Sequence, residues 1–195
     1  MRRTAPGACL IAALALAPCA HAQGSPIVDL LLPEFDEEMA ATRRILERVP
    51  DAKASWQPHA KSMTLGRLAT HISEIPGWVV RSLTRDEHDF APPGGPPFQP
   101  RALGSTAEIL EQFDRNVAEA RRALAAAPDA EFAKPWTFKR AGQIIWTRPK
   151  HDVFRRMAIS HLVHHRAQLG VYLRLQEVAI PGMYGPSADE LPPRR

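Results

Sequence analysis

The chain has 195 residues, 45% hydrophobic, 24% charged and 7% aromatic, a balance that suits one globular domain of ordinary size and excludes general disorder. Its formal charge is +4, and no run of Lys and Arg is massed into a block, which argues against a nucleic-acid partner. No stretch reaches the roughly 18 uninterrupted apolar residues of a membrane span.

Residues 1–22 have the layout of a secretory signal peptide. Arg2 and Arg3 supply a positive start, Leu10 to Ala17 a short apolar run, and Ala20-His21-Ala22 a small-x-small cleavage pattern. Pro18 breaks the run too early for an anchor. Cleavage would leave a domain of residues 23–195 in the periplasm or outside the cell, with no membrane attachment. Both cysteines, Cys9 and Cys19, would leave with the leader, as suits an oxidising compartment. Loss of Arg2 and Arg3 takes the 25 basic residues to 23 against 21 acids, so the basic character comes partly from the leader.

Four stretches then show helical periodicity. The first spans 27–49, with Leu31, Leu32, Phe35, Met39, Ile45, Leu46 and Val49 at three- and four-residue steps. Its acids lie early and its arginines late, as the helix dipole favours, and Pro50 stops it. The second spans 64–85, capped by Ser62 or Thr64, with a kink expected at Pro76. The third spans 105–127, with Ser105 or Thr106 as its cap, Ser105 and Glu108 spaced for a capping box, and Pro128 ending the run. The fourth spans 149–178, with Pro149 in its first turn and Pro181 just past its end.

The Pro- and Gly-rich segment 90–100 reads as an extended loop, and its part 92–100 as a lid or a passive connection. Residues 136–146, rich in aromatic and β-branched side chains around Ala141-Gly142, read as a short hairpin. The tail from Pro181 reads as loop. The expected class is all-α: a four-helix bundle with a long crossover connection.

The histidines carry the chemistry. His59, His88 and His151 lie in polar or loop surroundings and read as solvated. His161, His164 and His165 fall in the middle of the fourth helix, and His71 in the middle of the second. His161 and His165 are four apart, on one helix face, and can converge on one ion; the three-residue pair His161 and His164 can do the same. Spacing alone leaves that choice open. A third ligand must come from another helix, and His71 is the candidate. Three neutral imidazoles suit Zn, Ni or Fe, with an open position of the catalytic kind. A single His on an apolar helix is more often a hydrogen-bonded core residue, but several imidazoles together need a shared partner.

Three segments together resemble the DinB/YfiT-like superfamily of metal-binding four-helix bundles. They are Trp56-Gln-Pro58 followed by 63–71 (MTLGRLATH), then 161–174 (HLVHHRAQLGVYLR), and 180–190 (IPGMYGPSADE). The resemblance implies four helices with a long crossover and one metal, often Zn or Ni, on His71, His161 and His165. His164 then becomes a supporting or packing residue. Ala167 stands where the family often has Gly, which a helix tolerates. Some members of the family are thiol-dependent transferases or isomerases, a chemistry that export would deprive of its cytosolic thiols. The resemblance also implies a flat helix face that often pairs, which makes a homodimer a candidate.

An open divalent ion supports hydrolysis or thiol transfer on a small-molecule substrate. Around it, Glu74 is a candidate base or supporting carboxylate, Arg166 an anion contact or a salt-bridged arginine, and Gln168 an orienter of a ligand His. Trp78, Tyr172 and Tyr184 are candidate pocket walls, and also ordinary core aromatics. No G-x-S-x-G nucleophile or phosphate-cradling Gly-rich loop is present, so catalytic residues are unassigned. The expectation is an exported metal-dependent hydrolase or transferase. The alternatives are a metal- or ligand-binding bundle without turnover, and a purely structural bundle.

Overall fold

The structure, a computed structural model, describes residues 25–96 and 99–191. The signal segment 1–22 and two residues of the 92–100 loop lie outside the described residues.

Helix α1 (Pro26–Leu46) starts at Ser25, whose Oγ accepts the Val28 N–H at 3.2 Å. It buries Leu31, Phe35, Met39 and Ile45. It ends three residues before the expected 49, because residues 48 and 49 close tight turns onto Ile45 and Leu46 instead of extending the ladder. The second periodic stretch is two helices, α2 (Leu65–Glu74) and α3 (Pro76–Thr84), parted at Ile75. Pro76 has no N–H to donate, which breaks the run where a kink was expected. Asn116 Nδ2 donates to the Ser73 carbonyl at 2.8 Å beside the break. Of the two candidate caps Thr64 is the one used, its Oγ1 accepting from Arg67 N at 3.2 Å.

Helix α4 (Thr106–Ala126) is capped by Ser105, which accepts the Glu108 N–H at 3.2 Å. The return bond differs from a standard capping box: the Glu108 carboxylate takes the N–H of Gly104, one residue earlier, at 2.9 Å. A short helix α5 (Asp129–Ala133) follows. The hairpin forms as β2 (Pro135–Arg140) and β3 (Gln143–Pro149), in antiparallel register with Arg140 opposite Gln143. Its two-residue turn, Ala141 and Gly142, has φ of 51° and 77°, the doubly left-handed turn that matches strand twist. A third strand, β1 (Glu87–Asp89), was not expected; it adds in parallel to β2, Glu87 opposite Thr137.

The last rod has three parts: α6 (Lys150–Val153), a π-helical segment over Phe154–Ser160, and α7 (His161–Leu175). Lys150 is buried and clasps the hairpin to its neighbours, reaching Glu131 at 2.5 Å and Asp86 at 3.0 Å. The rod ends at Leu175, short of 178. Glu177 takes φ 57° and the Val178 N–H bonds back to Leu173 O at 3.0 Å, the C-terminal closure usually left to glycine.

Helix α4 packs against α1, α2 and α3, and α7 packs against α2 and α1. Consecutive α1 and α2 therefore stand at opposite corners, and so do α4 and α7. The long connections over residues 47–64 and 127–149 make these diagonal crossings, so the crossover bundle is the fold. Phe35, Phe113, Phe154, Leu68 and Leu162 fill its centre. No described helix is long and apolar enough to cross a membrane.

Candidate metal centre

The α2–α7 contact brings His71 to His161 and His165. The three offer ring nitrogens that all lie within 4.8 Å of one another. His71 Nε2 and His161 Nε2 are 3.0 Å apart. His165 completes the group, its ring centroid 4.7 Å from that of His71 and 4.6 Å from that of His161. Two nitrogens each about 2.05 Å from a tetrahedral ion would be about 3.3 Å apart, close to the 3.0 Å between His71 and His161. The donor set and its size therefore fit a divalent metal.

The protonation states agree with that fit. Burial pushes His161 down to about 4, helped by the neighbouring His165, His71 and His164. Burial also lowers His165, although its bond to Gln168 works the other way. Both rings are neutral at pH 7, the form that ligates.

Two outer contacts aim the rings. Gln168 Oε1 lies 2.7 Å from His165 Nδ1, and Glu74 Oε2 lies 3.3 Å from His71 Nδ1. In the tautomer this network favours, each Nδ1 carries the proton and each Nε2 keeps its lone pair facing the group. Glu74 also accepts from both terminal nitrogens of Arg67 at 3.2 Å. Burial raises the Glu74 carboxyl, but the bonds to His71 and Arg67 outweigh it and hold the group below its ordinary value. Glu74 is thus an anion standing behind His71.

His164 is exposed on α7 and stacks edge-on against His165 at 4.9 Å. The four-residue pair is the convergent one, because His164 lies round the helix from His161. Arg166 does not face the group. It is 2% exposed, paired with Glu38 at 2.6 Å, and donates to Tyr184 Oη at 2.5 Å. Tyr184, fixed from the other side by Glu38 Oε1 at 2.8 Å, pins the 180–190 tail to the bundle. Tyr172 packs edge-on against Trp56 at 5.6 Å.

Trp78 is the aromatic that walls the site, 5.2 Å from the His161 ring and 5.7 Å from His71. It borders a cavity of about 590 Å³ that His71 also lines. Arg81, His88 and the sheet aromatics Trp136 and Phe138 also line it. His88 corrects the expectation of a solvated loop residue: it sits half-buried on β1, facing Phe138. Burial, then Arg81 and Arg85, lower its pKa, so it is a neutral imidazole at pH 7. Neither Arg81 nor His88 carried a sequence signal: Arg81 reads as one more helix arginine, and His88 reaches the cavity through β1, whose pairing with a strand fifty residues later has no local pattern.

A family model described as the DinB superfamily matches residues 34–169. Protein YrdA of Bacillus subtilis (strain 168), itself described as uncharacterised, is 25% identical over 163 residues, 84% of this chain and 91% of that protein. The crystal structure of a DinB-like protein from Bacillus cereus ATCC 10987 aligns with a TM-score of 0.61 at 23% identity, covering 80% of this chain and 97% of the other. A second DinB-like protein, YjoA of Bacillus subtilis, aligns with a TM-score of 0.60 at 14% identity, covering 79% and 96%. The two structures share the fold. The chain belongs to the DinB superfamily.

Proposed function

We propose that the protein is an exported, divalent-metal-dependent enzyme of hydrolase or transferase type that acts on a small molecule. The observation that carries this reading is the convergence of three ring nitrogens within 4.8 Å beside a cavity that shares His71. In it His71, His161 and His165 hold Zn, Ni or Fe. A bound divalent ion supplies Lewis acidity to a carbonyl or to an attacking water or thiol. The chain does the rest. Glu74 and Gln168 fix the ring planes, Trp78 and the sheet aromatics exclude water, and neutral His88 accepts a proton inside the cavity. The leader-like segment 1–22 supports a periplasmic or secreted location.

One observation favours a metal-binding bundle without turnover. Glu74, the carboxylate nearest the histidines in sequence, lines the cavity but is engaged by Arg67 and His71, so it is not a free base. Metal content of the full chain, purified without an affinity tag, tests the first step. About one ion per chain, absent from a His161→Ala/His165→Ala variant, is expected. No metal in either, with melting unchanged by added Zn or Ni, overturns both readings. Turnover of a p-nitrophenyl ester panel by the loaded protein, reduced in His88→Gln at unchanged metal content, separates enzyme from binder.

A further inference from the structure

We propose that the cavity beside His71 receives a small aromatic monocarboxylate, with Arg81 as the residue that binds its carboxylate. The inference rests on the proposed small-molecule site and names the class of ligand that site takes.

Arg81 lines the cavity from α3 and is half-buried. Among the described residues no hydrogen bond or ion pair engages its guanidinium. That sets it apart from the other deep arginines: Arg67 is committed to Glu74, and Arg166 to Glu38. Burial, and then the neighbouring charge of Arg85, lower the Arg81 pKa, and only Glu74 acts the other way. Glu74 is already spoken for by Arg67 and His71. A guanidinium stripped of part of its water and given no acceptor costs free energy that a ligand oxygen can restore.

The shape and lining of the cavity define the rest of the ligand. Among the described residues Glu74 is its one acidic lining residue, against Arg67 and Arg81. The walls are otherwise largely apolar, with Trp78, Trp136, Phe138 and Met157 among them. Trp136 and Phe138, near-parallel at 6.2 Å with 13° between their planes, give that wall an aromatic character a ring can pack against. A volume of about 590 Å³ holds a compact molecule of this kind. One uncommitted guanidinium matches one planar oxyanion through its two-pronged fork, whereas a phosphate dianion would call for a second free cation.

The test uses 4-phenylbutyrate and its uncharged analogue 4-phenylbutanamide as probes on the full chain. Binding is read by isothermal titration and by quenching of the cavity tryptophans, once after chelation and once with Zn added. The wild type is expected to prefer the carboxylate by about tenfold or more, the worth of one charge-assisted contact. Arg81→Gln, checked for an unchanged melting point, brings the ratio close to one; Arg81→Lys keeps part of the preference; exposed Arg115→Gln leaves it intact. Equal binding of the two probes, binding of neither, or a preference that survives Arg81→Gln overturns the inference. Zinc content measured on the same samples keeps the two readings apart. A charge preference without zinc uptake leaves the inference standing and removes the metal reading. Zinc uptake without the preference does the reverse.

Discussion

Metal loading should stabilise this bundle, and acid should weaken that gain less than three ordinary histidines would allow. A ligand present at 100 times its Kd adds about 2.7 kcal/mol to folding. For a chain of this size melting moves by about 2–4 °C per kcal/mol, so saturating Zn should raise it by about 5–11 °C. Ligation needs neutral imidazoles. One imidazole with a pKa of 6.5 forfeits about tenfold in apparent affinity between pH 7.5 and 5.5, and three forfeit about a thousandfold. His161 does not share in this loss, because burial and its imidazole neighbours hold it at about 4. The loss should therefore stay below about a thousandfold, and the lowered His165 reduces it further. Competition titration with a chromogenic chelator at the two pH values gives the affinities, and differential scanning calorimetry the melting shift. His161→Ala and His165→Ala should abolish both, while His164→Ala keeps them. A thousandfold loss on acidification, or affinity that depends on His164 and not on His161, would refute the reasoning.

Gln168→Leu should leave the fold intact and weaken metal binding by about 10–100-fold, because the His165 ring loses the acceptor that fixes its tautomer; equilibrium dialysis measures it. Arg166→Met should cost about 3–5 kcal/mol in urea unfolding, since it strands the buried Glu38 carboxylate, and Glu38→Met added to it should recover most of that loss. The metal-free protein should lose stability as pH falls from 6.5 towards 4. His161 is held neutral when folded and takes up a proton near 6.5 when unfolded, so the unfolded state gains protons first in that window. A pH series of unfolding midpoints should show a smaller loss in His161→Gln.

The parts of this protein that were legible beforehand are those whose signal is local. Helix periodicity, a choice of two caps that includes Thr64 and Ser105, the break at Pro76 and the Ala141-Gly142 turn each follow from a few neighbouring residues. His161 and His165 share a face by their spacing, and the fold then brings His71 to them. What stayed hidden depends on distant partners. Glu87–Asp89 has no strand pattern and becomes a strand because β2 offers it an edge. The salt-bridged reading of Arg166 holds, but its partner Glu38, 128 residues earlier, has no local signal. Arg81 and His88 acquire meaning only when that added strand walls the cavity.

The π-helical turns over Phe154–Ser160 also have a consequence for helical phase. Each residue of an α-helix advances the azimuth by about 100°, and the wider π winding absorbs residues that a regular helix of the same rise would not hold. The lower end of the rod is indexed by Lys150 in its clasp with Glu131 and Asp86, the upper end by Leu162, Leu169 and Leu173 in the core. Between two such fixed ends, the π winding is what lets His161 and His165 point at His71 while the hairpin keeps its own setting. Deleting a single residue there, such as Met157, would force one end to swing by about 100°. The imidazole pair would leave its partner, or the hairpin would leave the bundle.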